Sequence, residues 1–131
     1  MKHIEKNKLS IYDQRSEMIY VTVYIYQFLN RFKGERMIIG AGKINLKLHD
    51  VDSLKGKRKI IKSMITRIKN QFNISIAETD YNNSHLFAQI GFSITGNNAR
   101  VVNSKLDKVL NMADDMGLAQ ITDTQIEIIH L

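Results

Sequence analysis

Metal binding and acid–base chemistry in this chain would fall to four histidines and thirteen carboxylates, because it has no cysteine. His3, His49, His85 and His130 are widely spaced, and none forms a ligand pair of the HxH or HExxH kind. His49 stands beside Asp50 and Asp52, a grouping that could move protons, but HDVDS is also simple turn chemistry. Glu78 and Asp80 lie two apart at the end of an apolar run, which places them on one face of a strand. Paired carboxylates can share acid–base work; pairing with a neighbouring basic helix is the simpler expectation. Gly40-Ala41-Gly42 does not continue into a dinucleotide fingerprint, and the P-loop pattern is absent. The residues predict no catalytic constellation, no metal site and no cofactor.

The residues that do cluster are basic. Ser53 to Phe72, SLKGKRKIIKSMITRIKNQF, holds Lys55, Lys57, Arg58, Lys59, Lys62, Arg67 and Lys69 and no acidic residue. Leu54, Ile61, Met64, Ile65, Ile68 and Phe72 recur at helical spacing, so one side is apolar. Lys55, Lys59, Lys62 and Lys69 run along a side well away from that stripe. Solvated helix faces usually mix Glu with Lys, since opposite charges four apart help a helix by about 0.2–0.5 kcal/mol. Here Lys55 with Lys59, and Arg58 with Lys62, repel instead. Basic residues in the first turns also oppose the helix dipole. A helix that accepts both penalties suits a polyanion.

The charge is local. Residues 1–36 carry seven Lys/Arg against four Asp/Glu, and residues 37–131 carry twelve against nine, each a net of +3 within a total of +6. The basic segment alone supplies +7, so the rest of 37–131 sums to −4. At 131 residues, 44% hydrophobic and 24% charged, the composition is that of a soluble globular domain with a sizeable core. Met18 to Leu29, the long apolar run, is shorter than the roughly 20 residues a bilayer needs and has no cleavage site. The expected location is the cytoplasm.

The elements that must position the basic helix are legible in order. Residues 1–17 read as a polar tail. Residues 18–29, MIYVTVYIYQFL, alternate β-branched and aromatic types and favour a strand, although Tyr20, Val23, Tyr24 and Phe28 could also line a helix. Arg31–Arg36 is a connector. From Met37, residues 37–48 end in Ile44, Leu46 and Leu48 inward with Lys43, Asn45 and Lys47 outward, a half-buried strand. Gly40 and Gly42 within it imply a bulge or a close approach of another part of the chain. Ser53 or Asp52 caps the basic helix. Residues 73–80 are a second strand, Tyr81–Ser84 a turn in which Asn can take positive φ, and residues 85–95 a third strand. Gly96–Asn98 opens a helix over Val102, Leu106, Val109, Leu110 and Ala113, which Gly117 ends. Residues 119–131 form the last strand, with a register change between Ile121 and Ile126 that implies a bulge.

The order β-α-β-β-α-β predicts an α+β domain over 37–131: a ferredoxin-like sandwich, four antiparallel strands with two helices on one face. Residues 1–36 are then an N-terminal extension. The other sheet face is open, polar and mildly basic, with Lys43, Lys47 and Phe87 as candidate contacts.

With its opening MIIGAGKINLKL, then DVDSLKGKRKIIKSMITRIKNQFNISIAETD, GFSITGN and LDKVL, the chain resembles the YlxP-like family of small bacterial proteins over residues 37–131. The resemblance implies the same ferredoxin-like fold. It implies no assigned activity, but a setting near RNA or the ribosome, since such proteins are often encoded beside translation and ribosome-maturation genes. Relatives usually begin at the position of Met37, so residues 1–36 are either an added strand or the product of an upstream start codon. Where relatives carry an aromatic–polar–basic trio at the head of the third strand, this chain has His85, Leu86 and Phe87.

The expected function is non-enzymatic binding of structured RNA or the ribosome, with phosphate contacts from Lys55, Lys59, Lys62 and Lys69 helped by Lys57, Arg58 and Arg67. The alternative is a pairing module, in which the open sheet face and the extension join two copies of the chain and the basic helix only solubilises.

Overall fold

The computed structural model describes residues 21–25 and 37–131. Residues 21–25 are helical and exposed, where the alternation favours a strand. A strand needs a neighbour to complete its ladder, and β-propensity expresses packing against that neighbour more than an intrinsic backbone preference. Among the described residues no fifth strand joins the sheet, so the local alternative, a helix, is the one adopted. The predicted tail and the Arg31–Arg36 connector lie outside the described residues.

From Met37 the elements are β1 (Ile38–Lys47), α1 (Leu54–Gln71), β2 (Ser75–Asp80), β3 (Phe87–Gly96), α2 (Ala99–Asp115) and β4 (Gln120–His130). The four strands form one antiparallel sheet in the order β2-β3-β1-β4. β1 is central, pairing β3 from Ile38↔Gly96 to Lys47↔Phe87 and β4 from Ile38↔His130 to Lys47↔Gln120. The β4 register shifts opposite Asn45 and Leu46, which face Asp123 and Ile121. Thr122 is the extra residue, and its hydroxyl donates to the Asn45 carbonyl at 3.2 Å. That is the predicted bulge, and it keeps Ile121 and Ile128 on one face despite the odd spacing.

Both helices lie on the same sheet face. Ile38, Ile44, Leu46, Leu48, Ala88, Ile90, Phe92 and Ile94 from the sheet pack with Ile61, Met64 and Ile68 of α1 and Val102, Leu106, Val109 and Ala113 of α2 in one core. Each aliphatic side chain buried here contributes about 1.5–3 kcal/mol.

The two β1 glycines belong to this core. A Cβ on Gly40 would stand 2.6 Å from Val102 Cγ1 and 2.9 Å from Leu106 Cδ1, so α2 sits directly upon it. A Cβ on Gly42 would enter the Phe92 ring. Close approach, not a bulge, explains both.

The helix ends follow local chemistry. The Ser53 hydroxyl accepts from Gly56 N at 3.0 Å and caps α1, and Asn98 Oδ1 accepts from Val101 N at 3.1 Å and caps α2. Gly117, at φ +62°, supplies the left-handed residue after α2.

Candidate functional site

The first helix has two chemically distinct sides. At about 100° per residue, Lys55, Arg58, Lys59, Lys62 and Lys69 fall within a sector of about 100°. All five are exposed, and Arg67, also exposed, flanks them. Among the described residues none of these six is ion-paired. No acidic residue occupies the first turn of α1. The result is one row of exposed cations on a rigid element, facing away from the sheet.

Lys57 does not belong to that row. Its side chain is 0% exposed, and its ammonium lies 2.8 Å from Glu78 Oε1 while donating to the Tyr81 carbonyl. The carboxylate contact is a close ion pair whose angle is not that of a hydrogen bond, so the Tyr81 carbonyl is the directional partner. The expectation that Lys57 contacts phosphate is therefore corrected. The same periodicity that separates the other lysines puts Lys57 between Met64 and Ile68, at the centre of the apolar stripe. Burial of a lysine there is tolerated because the neighbouring strand ends in a carboxylate.

Glu78 thus pairs with the basic helix, the simpler of its two expected roles. The shared face expected of Glu78 and Asp80 is not found. The β2 register shifts between these residues, setting Glu78 opposite the inward Ile90 and Asp80 opposite the outward Gln89. Asp80 Oδ1 accepts instead from Tyr81 N at 2.7 Å. The bulge divides the two carboxylates between opposite faces of the sheet.

Positive φ in the β2–β3 connection falls on Tyr81 (+61°), not on Asn82 or Asn83. This is a sparsely populated region for a bulky residue. Three hydrogen bonds hold it: Asp80 Oδ1 takes its N–H, and its carbonyl accepts from both Lys57 Nζ and Ser84 N. The ring is thereby set against Phe87, with centroids 6.2 Å apart and planes inclined at 48°. Tyr81 was not singled out by sequence reasoning, and nothing local to YNNS signals it, because the pairing depends on the turn and on a lysine 24 residues away.

Lys43, Lys47 and Phe87 are exposed on the open sheet face, as the alternation predicts. The face is not basic, however. Lys43 stands opposite Gln125, with Asp123 and Glu127 on either side of it along β4, so acidic residues of the last strand offset Lys43 and Lys47. Gln89 donates to Asn45 Oδ1 at 2.9 Å across its centre. A shallow hollow of about 370 Å³ lies beside them, floored by Ala41, Ala77, Gly91 and Ser93. This face looks away from the helices, so the α1 row and the sheet-face lysines are not one surface.

His49 Nε2 lies 3.3 Å from Gln120 Oε1, and Asp50 takes φ +57° in the turn before α1. The HDVDS segment is a turn that ties β1 to β4. Among the described residues no three His, Asp or Glu side chains converge as a metal site, and no helix is long and apolar enough to cross a membrane.

The chain is 29% identical over 90 residues to the uncharacterized protein YlxP of Bacillus subtilis (strain 168), an alignment spanning 69% of this chain and 98% of the relative. Among solved structures, the de novo designed protein Foldit4 superposes with a TM-score of 0.47 at 8% identity, covering 73% of this chain and 99% of the design. SnoaB, a cofactor-independent oxygenase from Streptomyces nogalater, gives 0.39 at 6% identity, covering 72% of this chain and 92% of its own. Neither score is high enough to bear on function. The model of a family described as a protein of unknown function (DUF503) matches residues 39–126, and the chain belongs to that family.

Proposed function

We propose that this domain binds structured RNA through the exposed side of α1, with Lys55, Arg58, Lys59, Lys62 and Lys69 as the phosphate contacts and Arg67 at their flank. The observation that carries this reading is the row itself: five aligned cations without an ion pair among the described residues, on a domain whose other residues are net acidic. A polyanion gains from such a row by releasing its counterions, which gives affinity without base discrimination. The rigid helical spacing favours backbone contacts on folded RNA, of which ribosomal RNA is the abundant case. The test is co-sedimentation with ribosomes over a salt series. Wild-type protein is expected to pellet at low salt and release as salt rises, while the Lys55→Glu, Lys59→Glu, Lys62→Glu variant stays in the supernatant. Equal sedimentation of the two would refute the reading.

A second reading, pairing of two copies, draws on β4. This edge strand is eleven residues long, carries no Lys, Arg or Pro, and exposes Ile126. The β2 edge is six residues long with a shifted register, which blunts it. Light scattering on the full chain and on Ile126→Lys decides it, a dimer lost in the variant being the supporting result.

A further inference from the structure

Tyr81, Leu86 and Phe87 are apolar or aromatic, 42–44% exposed, and gathered at one end of the domain. We propose that Tyr81 and Phe87 form a stacking platform for an unpaired base, so that the RNA taken by this domain presents a single-stranded loop beside its α1-bound phosphates. The inference rests on the RNA-binding reading and adds the kind of RNA.

Position supports it. Lys57 lies in the first turn of α1 and holds the Tyr81 carbonyl, so the aromatic pair is fixed at the end where the basic row begins with Lys55 and Arg58. Phe87 opens β3 on the open face, directly opposite Lys47. Phe87 thus opens onto the sheet face while Tyr81 is tied to the first turn of α1, so a loop reaching the rings extends past that end of the helix row. Aromatic rings beside a basic track are how proteins hold unstacked bases, because every base has a π-face.

Construction supports it as well. A tyrosine at positive φ is unfavourable, yet three hydrogen bonds, one from a fully buried ammonium, keep it there and direct its ring at Phe87. A turn alone would be served better by Asn or Gly. Other charges at this end are Asp80, turned onto Tyr81 N, and Asp50 and Asp52 in the turn before α1. With Lys47, Lys55 and Arg58 they leave the platform itself near neutral. Base stacking and phosphate attraction are thus assigned to different residues, and the two can be separated by salt.

The experiment measures binding of an RNA hairpin with 2-aminopurine in its loop, and of a duplex of the same stem without a loop, over a salt series. Wild-type protein is expected to prefer the hairpin and quench the loop fluorescence. Phe87→Leu and Tyr81→Leu, which keep apolar bulk but remove the π-face, should weaken hairpin binding roughly five- to 150-fold, one base's stacking contribution. Duplex binding and the slope of log affinity against log salt should not change, since no phosphate contact is lost. Phe87→Tyr should behave as wild type. If the leucine variants bind the hairpin as wild type does, the platform is overturned, and the helix reading stands so long as Lys55→Glu, Lys59→Glu, Lys62→Glu still reduces binding and flattens the slope. If wild-type protein binds neither RNA, both readings fall.

Discussion

The ammonium of Lys57, sealed from solvent, lies 2.8 Å from a carboxylate oxygen of Glu78, a residue whose own side chain is 20% exposed. The two members of this ion pair are unequally placed. The paired oxygen, Oε1, is sealed as well, but the rest of the Glu78 side chain meets solvent, whereas none of Lys57 does. Removing one partner should therefore have different consequences depending on which is removed.

Glu78→Leu leaves a buried ammonium with the Tyr81 carbonyl as its remaining partner, and a cost near the 3–5 kcal/mol typical of a broken buried pair is expected. Lys57→Met leaves a carboxylate with one sealed oxygen, on a side chain still 20% exposed, together with a Tyr81 carbonyl still bonded to Ser84 N; a smaller cost, about 1–3 kcal/mol, is expected. The double variant should recover most of the larger loss, because both charges then leave together. Urea denaturation checks the order: the midpoint should fall most for Glu78→Leu, with an unchanged m-value. Equal losses for the two single variants would show that the ammonium is not sealed as described.

Gly42 and Phe92 face each other across β1 and β3, and the ring occupies the space a Cβ would take. Gly42→Ala should destabilise by about 1–3 kcal/mol, the usual cost of overpacking. Phe92→Leu vacates that space at its own cost of lost burial. The pair should then be non-additive: Gly42→Ala in the Phe92→Leu background should cost clearly less than in the wild type. A double-mutant cycle by thermal unfolding measures the difference, and simple additivity would contradict the contact.

Tyr81→Asn tests the strained turn from the side of stability. Asn tolerates the left-handed region that Tyr resists, a gain of order 1 kcal/mol, while the ring contact with Phe87, worth about 0.5–1.5 kcal/mol, is lost. The two nearly cancel, so stability should stay within about 1 kcal/mol of wild type. Hairpin-RNA affinity should nevertheless fall. A large stability loss would mean the ring serves the fold, not a ligand.

The architecture was legible because its signals are local. Alternation at Ile44, Leu46 and Leu48, helical spacing at Met64 and Ile68, and the caps at Ser53 and Asn98 each depend on a few neighbouring residues, and together they define the order of elements from Met37 onward. The β4 bulge was legible too, since Ile121 and Ile126 are out of phase. What escaped depends on contacts between distant segments. The separation of Glu78 from Asp80 comes from a register shift against β3, and the Tyr81–Phe87 pair from a turn anchored on α1. The helical form of residues 21–25 reflects the lack of a partner strand among the described residues, which composition does not report. Lys57 is a different case. Its position at the centre of the apolar stripe could be read from the spacing, but counting positive charges along the segment conceals it. The acidic character that β4 adds to the open face required the β1–β4 register.

The α1 row makes stability and binding pull in opposite directions, which distinguishes a binding face from a merely solvated one. Lys55 is in the first turn, where a cation opposes the helix dipole, and it repels Lys59 one turn on. Lys55→Glu should reverse both effects: an acid near the N-terminus gains about 0.3–1 kcal/mol from the dipole, and a Glu–Lys pair four apart gains about 0.2–0.5 kcal/mol. The variant should therefore be more stable by roughly 0.5–1.5 kcal/mol, less so in high salt, where screening weakens both terms. If the row binds RNA, the same change should weaken ribosome co-sedimentation and lower the salt dependence by more than the loss of one phosphate contact, because a negative charge now sits among the phosphates. A face kept basic only for solubility would show the stability gain with no change in RNA binding, and that result would favour the pairing-module reading.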